Sequence, residues 1–247
     1  MAGVQKYGLE DVRDALERAS ARHTAATVAA GAVAKAFLRE LGIEIAGEAV
    51  EIGGVRGTEE TREAVDAARA HRDTLGGIVE VRARGVPPGL GSYATREQRL
   101  DARLAAALMG TQAVKGVEIG DGFALARLRG SQAHDEILQG LRRETNRAGG
   151  IEAGISNGEE VVVRAAMKPL PTLMRPLRSV DLASGDPAEA LVERSDVAAV
   201  EALAVVAEAV VAFELARAAR EKFGGDALAD VLAAHRAYLE RIGWPPR

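Results

Sequence analysis

Polar and apolar positions change period several times along the 247 residues, and each change marks an element. From Leu9 to Leu41 helix formers run throughout, acidic Glu10, Asp11 and Asp14 come early and Gly42 follows the last periodic position. These are the start and stop signals of one or two helices. Residues 43–55 alternate in part and end in glycines, which predicts a strand, and a helix near 58–72 follows, opened by Thr58 with Glu59 and Glu60 behind it. A second strand is expected in 73–85, with Ile78, Glu80 and Arg82 on one face and Val79, Val81 and Ala83 on the other. The stretch GVPPGLGSY at 85–93 is irregular, because consecutive prolines remove donors and the glycines loosen the chain.

Farther on, the pattern predicts a helix over 96–109, a strand around 113–119 and a short helix near 122–129. Residues 142–160 are dense in Gly, Asn and Arg and lead into the strand VVVRAAMK at 161–168. The proline-punctuated KPLPTLMRPLRSVD at 168–181 reads as extended chain, with another strand in RSVDLAS. The last third is helical: Asp196 to Phe223, stopped by Gly224 and Gly225, then a helix to about Ile242. Strands and helices alternate without a strict period, so the class is α/β or α+β with mixed sheets.

Composition narrows this picture. Apolar residues make up 47% but aromatics only 3%, so the core is built from Ala, Val, Leu and Ile and must pack closely. A net charge of −4 argues against a nucleic-acid surface. The absence of cysteine removes disulfides, thiolate metal sites and thiol catalysis, and fits a reducing cytoplasm. The longest apolar run, at 202–216, is interrupted by Glu208 and Glu214 and is too short for a bilayer, and the polar N-terminus does not resemble a signal peptide, so a soluble protein with no membrane partner is expected.

No phosphate-cradling GxxxxGK[ST] and no GxGxxG after a strand is present, and His23, His71, His134 and His235 never reach metal-ligand spacing. More informative are arginines among small residues: Arg18 and Arg22 in RASAR, Arg142, Arg143 and Arg147 around RRETNRAGG, and Arg194 in RSD. A small anion carrying phosphate and carboxylates wants planar bidentate donors, and Gly or Ala neighbours let backbone approach it. The plainer reading makes them solvated surface pairs. Within a continuous helix Arg18 and Arg22 share a face, with Glu17 and Asp14 as the structural answer to their repulsion. On pattern alone Asp196 caps a long helix.

The strings ERASARHTAATVAAGAVAKAFLRELGIE (17–44), DTLGGIVEVRARGVPPGLGS (73–92), QAVKGVEIGDGF (112–123), GSQAHDE (130–136), ETNRAGGIEAGISNGEEVVVRAAMKPLPTL (144–173) and RSDVAAV with EKFGGD (194–200, 221–226) resemble, in order and over nearly the whole chain, the chorismate synthase family. The resemblance implies an α+β fold in which helices lie between mixed or antiparallel sheets in a β-α-β sandwich. It implies one domain over 1–247, matching the C-terminal two-thirds of the family fold, and a homotetramer. It also implies a cytoplasmic lyase that converts 5-enolpyruvylshikimate 3-phosphate to chorismate by 1,4-elimination of phosphate. The reaction uses reduced FMN (FMNH2), supplied by a flavin reductase or by an intrinsic activity, with NADP associated with that reduction.

Residue by residue, the resemblance puts Arg18, Ala19 and Ser20 on the flavin and Arg22 on the substrate. Gln132 and Ala133 match a second flavin contact, and Lys168, Pro169, Leu170, Pro171 and Thr172 the flavin phosphate segment. Arg194 matches a residue serving flavin or substrate, and Asp196 the acid that handles a proton at the flavin. Ala153 stands where the family usually has a backbone-contacting Gly, His23 where it has Glu, and Glu201 where it has Pro. The regions around 53–72 and between His134 and Arg142 look shortened. The family's Gly-Glu-Ser-His-Gly and Gly-His-Ala-Asp strings do not occur, so an N-terminal truncation with exposed apolar faces and poor solubility is expected. The alternative is a catalytically impaired relative, binding flavin or anions or serving subunit interaction, that kept the scaffold without those two histidines.

Overall fold

The structure, a computed structural model, describes residues 2–18, 21–190, 192 and 195–244. Two short helices, α1 (Ala2–Tyr7) and α2 (Val12–Arg18), precede α3 (Thr24–Glu40), and a 3-10 turn at Ala21–His23 leads into α3 within the run from Leu9 to Leu41. There follow β1 (Glu44–Ile52), α4 (Thr58–Ala70), β2 (Gly77–Arg84), α5 (Leu100–Met109) and β3 (Val114–Ile119). A four-residue helix α6 (Gly130–Ala133), a two-residue hairpin β4 (Ile151–Glu152) and β5 (Ile155–Ser156), and β6 (Val161–Met167) come next. An outlying hairpin β7 (Arg178–Val180) and β8 (Pro187–Glu189) leads to α7 (Val200–Phe223) and α8 (Leu228–Ile242). No helix among the described residues is long and apolar enough to cross a membrane.

The main sheet has the order β1-β2-β6-β3, every neighbour antiparallel, which makes the class α+β. The period-two reading of 73–85 holds: Val79, Val81 and Ala83 are buried under the helices, as are Val161, Val163 and Ala165 of β6. Glu80 is buried too, on the opposite face, because its carboxylate accepts Arg82 Nε at 2.7 Å and Arg164 Nε at 2.6 Å. A buried carboxylate is tolerable only when charged donors fill its lone pairs.

Helices α3 and α7 lie across the inner face. Seven alanines of α7 are buried, and Gly31 of α3 faces Ala209 so closely that a Cβ there would sit 2.3 Å from that of Ala209. The small-residue core expected from composition is therefore a helix crossing made of Gly and Ala. Around it Leu38, Leu100, Leu104, Leu108 and Leu215 are fully buried, each worth roughly 1.5–3 kcal/mol. Helix α3 ends on a Schellman turn: Gly42 (φ +74°) donates to Arg39 O and Ile43 to Leu38 O, joining two buried side chains. The outer side of the two helices leaves Val33, Val205 and Phe213 exposed.

Candidate active site

The start of β2 and the stretch before α7 build the most suggestive region. Helix α4 ends on a second Schellman turn, in which Arg72 donates to Arg69 O and Asp73 to Ala68 O. Here the left-handed position is held by Arg72 (φ +57°), where glycine is the unstrained choice. A strained backbone at a cavity wall is a pointer to function.

Residues 196–199 do not join α7. The helix begins at Val200 with Ala199 as N-cap, because Leu75 N–H donates to Val197 O at 2.7 Å and Leu75 bridges Ala198 in parallel, holding the stretch extended. This corrects two expectations: the helix starts four residues later than Asp196, and Asp196 is not its cap. Asp196 instead stands between two cavities. One, of about 630 Å³, lies between α4, β1 and the start of α7 and is lined by Thr58, Arg62, Arg69, Glu51 and Glu201, with Val65 and Val200 as apolar wall. The other, of about 310 Å³, is lined by Arg69, Arg72, Asp73, Thr172, Ser195 and Asp196. Arg62 and Arg69 pair with Glu59 and Asp66 of their own helix, at 2.5 and 2.6 Å, and are largely exposed.

The 168–172 segment leaves β6 with Lys168 N–H donating to Ala113 O at 3.0 Å. The Thr74 hydroxyl donates to Leu170 O at 2.8 Å, and Thr172 reaches the smaller cavity. Two separate parts of the implied site, Thr172 and Asp196, thus share a cavity. Pro169 and Pro171 are exposed, while Lys168, Leu170 and Thr172 are half-buried.

Other implied residues lie elsewhere. Ala19, Ser20 and Arg194 are outside the described residues, and Arg18 closes α2. Arg22 sits in a single 3-10 turn, Ala21–His23, and its guanidinium meets Glu17 at 2.6 Å in an exposed pair. The 3-10 turn takes Arg22 out of the continuous helix on which the expected shared face rests, and Glu17 is the partner that the plainer reading named.

Gln132 and Ala133 form the end of α6, where Gln132 Oε1 accepts the Arg129 amide at 3.4 Å. The loop after α6 is tied to 145–148 by Asp135. Partial burial opposes ionisation of Asp135, but the Thr145 hydroxyl and the Ala148 and Arg147 amides outweigh it and hold its carboxyl below the usual carboxylate range. Ala153 is exposed at the tip of the β4–β5 hairpin with φ +51°, followed by Gly154 at +83°. Two positive φ values in a two-residue hairpin turn favour Gly, Asn or Asp, which gives a physical reason for glycine there. Arg22, Gln132, Ala133 and Ala153 line neither cavity around Asp196.

Sequence reasoning passed over Thr74, Arg69, Arg72, Asp73 and Ser195. The signal available was DTLGG, read as the start of a strand and of a resembling string: adjacent glycines between a hydroxyl residue and an apolar run also mark close backbone approach.

A sequence model of the chorismate synthase family matches residues 1–219. The chain belongs to the chorismate synthase family. It is 55% identical to the chorismate synthase of Desulforudis audaxviator (strain MP104C) over 272 positions, covering 98% of this chain and 70% of that protein. The chorismate synthase of Geobacter sulfurreducens (strain ATCC 51573 / DSM 12127 / PCA) is 52% identical over 279 positions, covering 98% and 71%. A crystal structure of chorismate synthase superposes with a TM-score of 0.84 at 38% identity, over 98% of this chain and 76% of that one. The alignments run longer than the 247 residues here, so these relatives carry internal residues without a counterpart, as the shortened regions suggest. Membership makes the protein a lyase of the shikimate pathway acting on a phosphate-bearing substrate. Nothing in these relatives favours an impaired scaffold.

Proposed function

We propose that this chorismate synthase eliminates phosphate from 5-enolpyruvylshikimate 3-phosphate in a 1,4 sense to give chorismate, with reduced FMN bound beside Asp196. The observation that carries this is the shared cavity of Thr172 and Asp196. The surroundings suit the group: Val65, Val197 and Val200 offer apolar wall to a flat ring, and Arg72, Thr172 and Ser195 offer donors to a phosphate. Bound FMNH2 supplies a transient electron that labilises the carbon–oxygen bond to phosphate.

In this reading the 168–172 segment, from Lys168 through Pro169, Leu170 and Pro171 to Thr172, holds the flavin phosphate. The resemblance, and not the lining of the two cavities, adds Arg18, Ala19, Ser20, Gln132, Ala133 and Ala153 to the flavin, Arg22 to the substrate and Arg194 to flavin or substrate. Guanidinium groups neutralise the substrate's phosphate and carboxylates, and water exclusion strengthens each contact. Asp196 holds or moves a proton at the flavin, with its carboxylate as the acceptor. The active form is a cytoplasmic homotetramer with one domain per chain, and reduced flavin comes from a partner reductase or an intrinsic NADP-linked activity.

Anaerobic phosphate release from 5-enolpyruvylshikimate 3-phosphate with reduced FMN, together with flavin titration, tests this reading. It is to be run on this chain and on a fusion carrying the Gly-Glu-Ser-His-Gly and Gly-His-Ala-Asp segments of a relative. Release that depends on Asp196 supports it. Flavin-independent release, or no release from either protein, contradicts it.

A further inference from the structure

The string Asp73-Thr74-Leu75-Gly76-Gly77 touches both walls of the Thr172–Asp196 cavity. Thr74 is 8% exposed, and its hydroxyl reaches Leu170 O at 2.8 Å, so one buried polar group satisfies itself on the 168–172 segment. The next residue turns the other way: Leu75 N–H donates to Val197 O at 2.7 Å and Leu75 bridges Ala198. Gly76 returns to the first wall, where a Cβ would lie 2.3 Å from Met167 O and 3.0 Å from Pro169 Cδ. Gly77 faces β1 and the start of α7, where a Cβ would lie 2.1 Å from Glu51 O and 3.0 Å from Val200 Cγ2. The Thr74 side chain and the close backbone approach at Gly76 therefore hold the first wall, and the backbone amide of Leu75 between them holds the second.

We propose that residues 74–76 are a two-sided clamp that sets the distance between the 168–172 segment and Asp196, and that Thr74 is a positioning residue for the lyase reaction. The proposal rests on the reading above, in which these two segments serve the flavin and its proton. A hydroxyl that fixes a carbonyl in one wall, one residue from an amide that fixes a carbonyl in the other, leaves little freedom for the two to separate. Misplacement of reacting groups by about 1 Å can cost roughly a hundredfold in rate.

Thr74→Val keeps the shape and removes the hydroxyl, Thr74→Ser keeps the hydroxyl, and Gly76→Ala pushes on Met167 O from the backbone side. Hydrogen exchange is expected to accelerate by roughly five- to tenfold at residues 168–172 and 196–199 together in Thr74→Val, with the middle of α7 unchanged and Thr74→Ser near the parent. Loosening confined to 168–172 overturns the clamp. In the flavin-bound enzyme Thr74→Val should lower kcat at least tenfold with KM for substrate within about twofold, and Thr74→Ser should restore it. Unchanged kcat per folded molecule shows a merely structural role and overturns the proposal. Should Thr74→Val not fold, Gly76→Ala reads out the same way. If the parent protein neither takes up flavin nor releases phosphate, the functional reading fails, while the exchange pattern still decides whether the two walls are coupled.

Discussion

Gly31→Ala places a methyl group 2.3 Å from Ala209 Cβ, 2.6 Å from its Cα and 3.0 Å from its carbonyl oxygen, where ordinary contact begins at 3.4 Å. Two of those three atoms are backbone, so no rotamer change relieves the overlap, and α3 must move more than 1 Å away from α7. That separation loosens the packing of Ala34 and Leu38, both buried on the same side of α3. Overpacking costs about 1–3 kcal/mol, and an immovable neighbour puts this site near 3. Replacing glycine in a helix interior returns about 1 kcal/mol. The net expectation is a loss of about 2 kcal/mol in urea unfolding, seen as a lower midpoint with an unchanged slope. The exposed neighbour Ala30, changed to Gly, calibrates the propensity part alone at about 1 kcal/mol. Ala209→Gly in the Gly31→Ala background should restore only part of the loss, since it removes the 2.3 Å contact and leaves the 2.6 Å one. Stability equal to or above the parent in Gly31→Ala would refute the account of the α3–α7 crossing.

Other expectations follow from single sites. Ala153→Gly relieves a left-handed alanine and should raise Tm by about 1–3 °C in calorimetry, the gain of roughly 1 kcal/mol being reduced by glycine's greater freedom when unfolded. Glu80→Ala removes the acceptor shared by Arg82 and Arg164 and should cost about 2–3 kcal/mol in denaturant, below the full cost of a buried pair because Glu160 still holds Arg82. Burial pushes the His235 imidazole below its ordinary value. The unfolded chain then takes up the proton first, so stability is complete above pH about 6.5 and declines as pH falls below it, by at most about 1.4 kcal/mol per unit. His235→Leu should flatten that part of the stability profile, and an unchanged slope would remove His235 as its source.

What the sequence made legible depended on range. Alternation in 73–85 put Val79, Val81 and Ala83 on one face, which the fold buries, and helix stop signals placed the ends of α3 and α7 at Gly42 and Gly224. Glu80 falls on the opposite face, as the alternation says, but its burial depends on Arg164, 84 positions away, and no local pattern reports such a partner. Asp196 failed as a cap for the same reason: the competing partner is Leu75, whose amide draws Val197 into extended chain before the helix can start. The arginines divide likewise. Arg22 and Glu17 are close in sequence and their pairing was foreseeable, whereas the meeting of Arg72, Thr172 and Asp196 needs three distant segments folded together.

The central claim, that this member of the chorismate synthase family works through Asp196 at a proposed flavin site shared with Thr172, is tested most directly by Asp196→Asn. Anaerobic phosphate release with reduced FMN is to be measured beside flavin affinity. Asparagine is nearly isosteric but takes no proton, so kcat is expected to fall at least a hundredfold with flavin affinity within about twofold of the parent. An Asp196→Asn enzyme that releases phosphate at the parent rate would contradict the assignment.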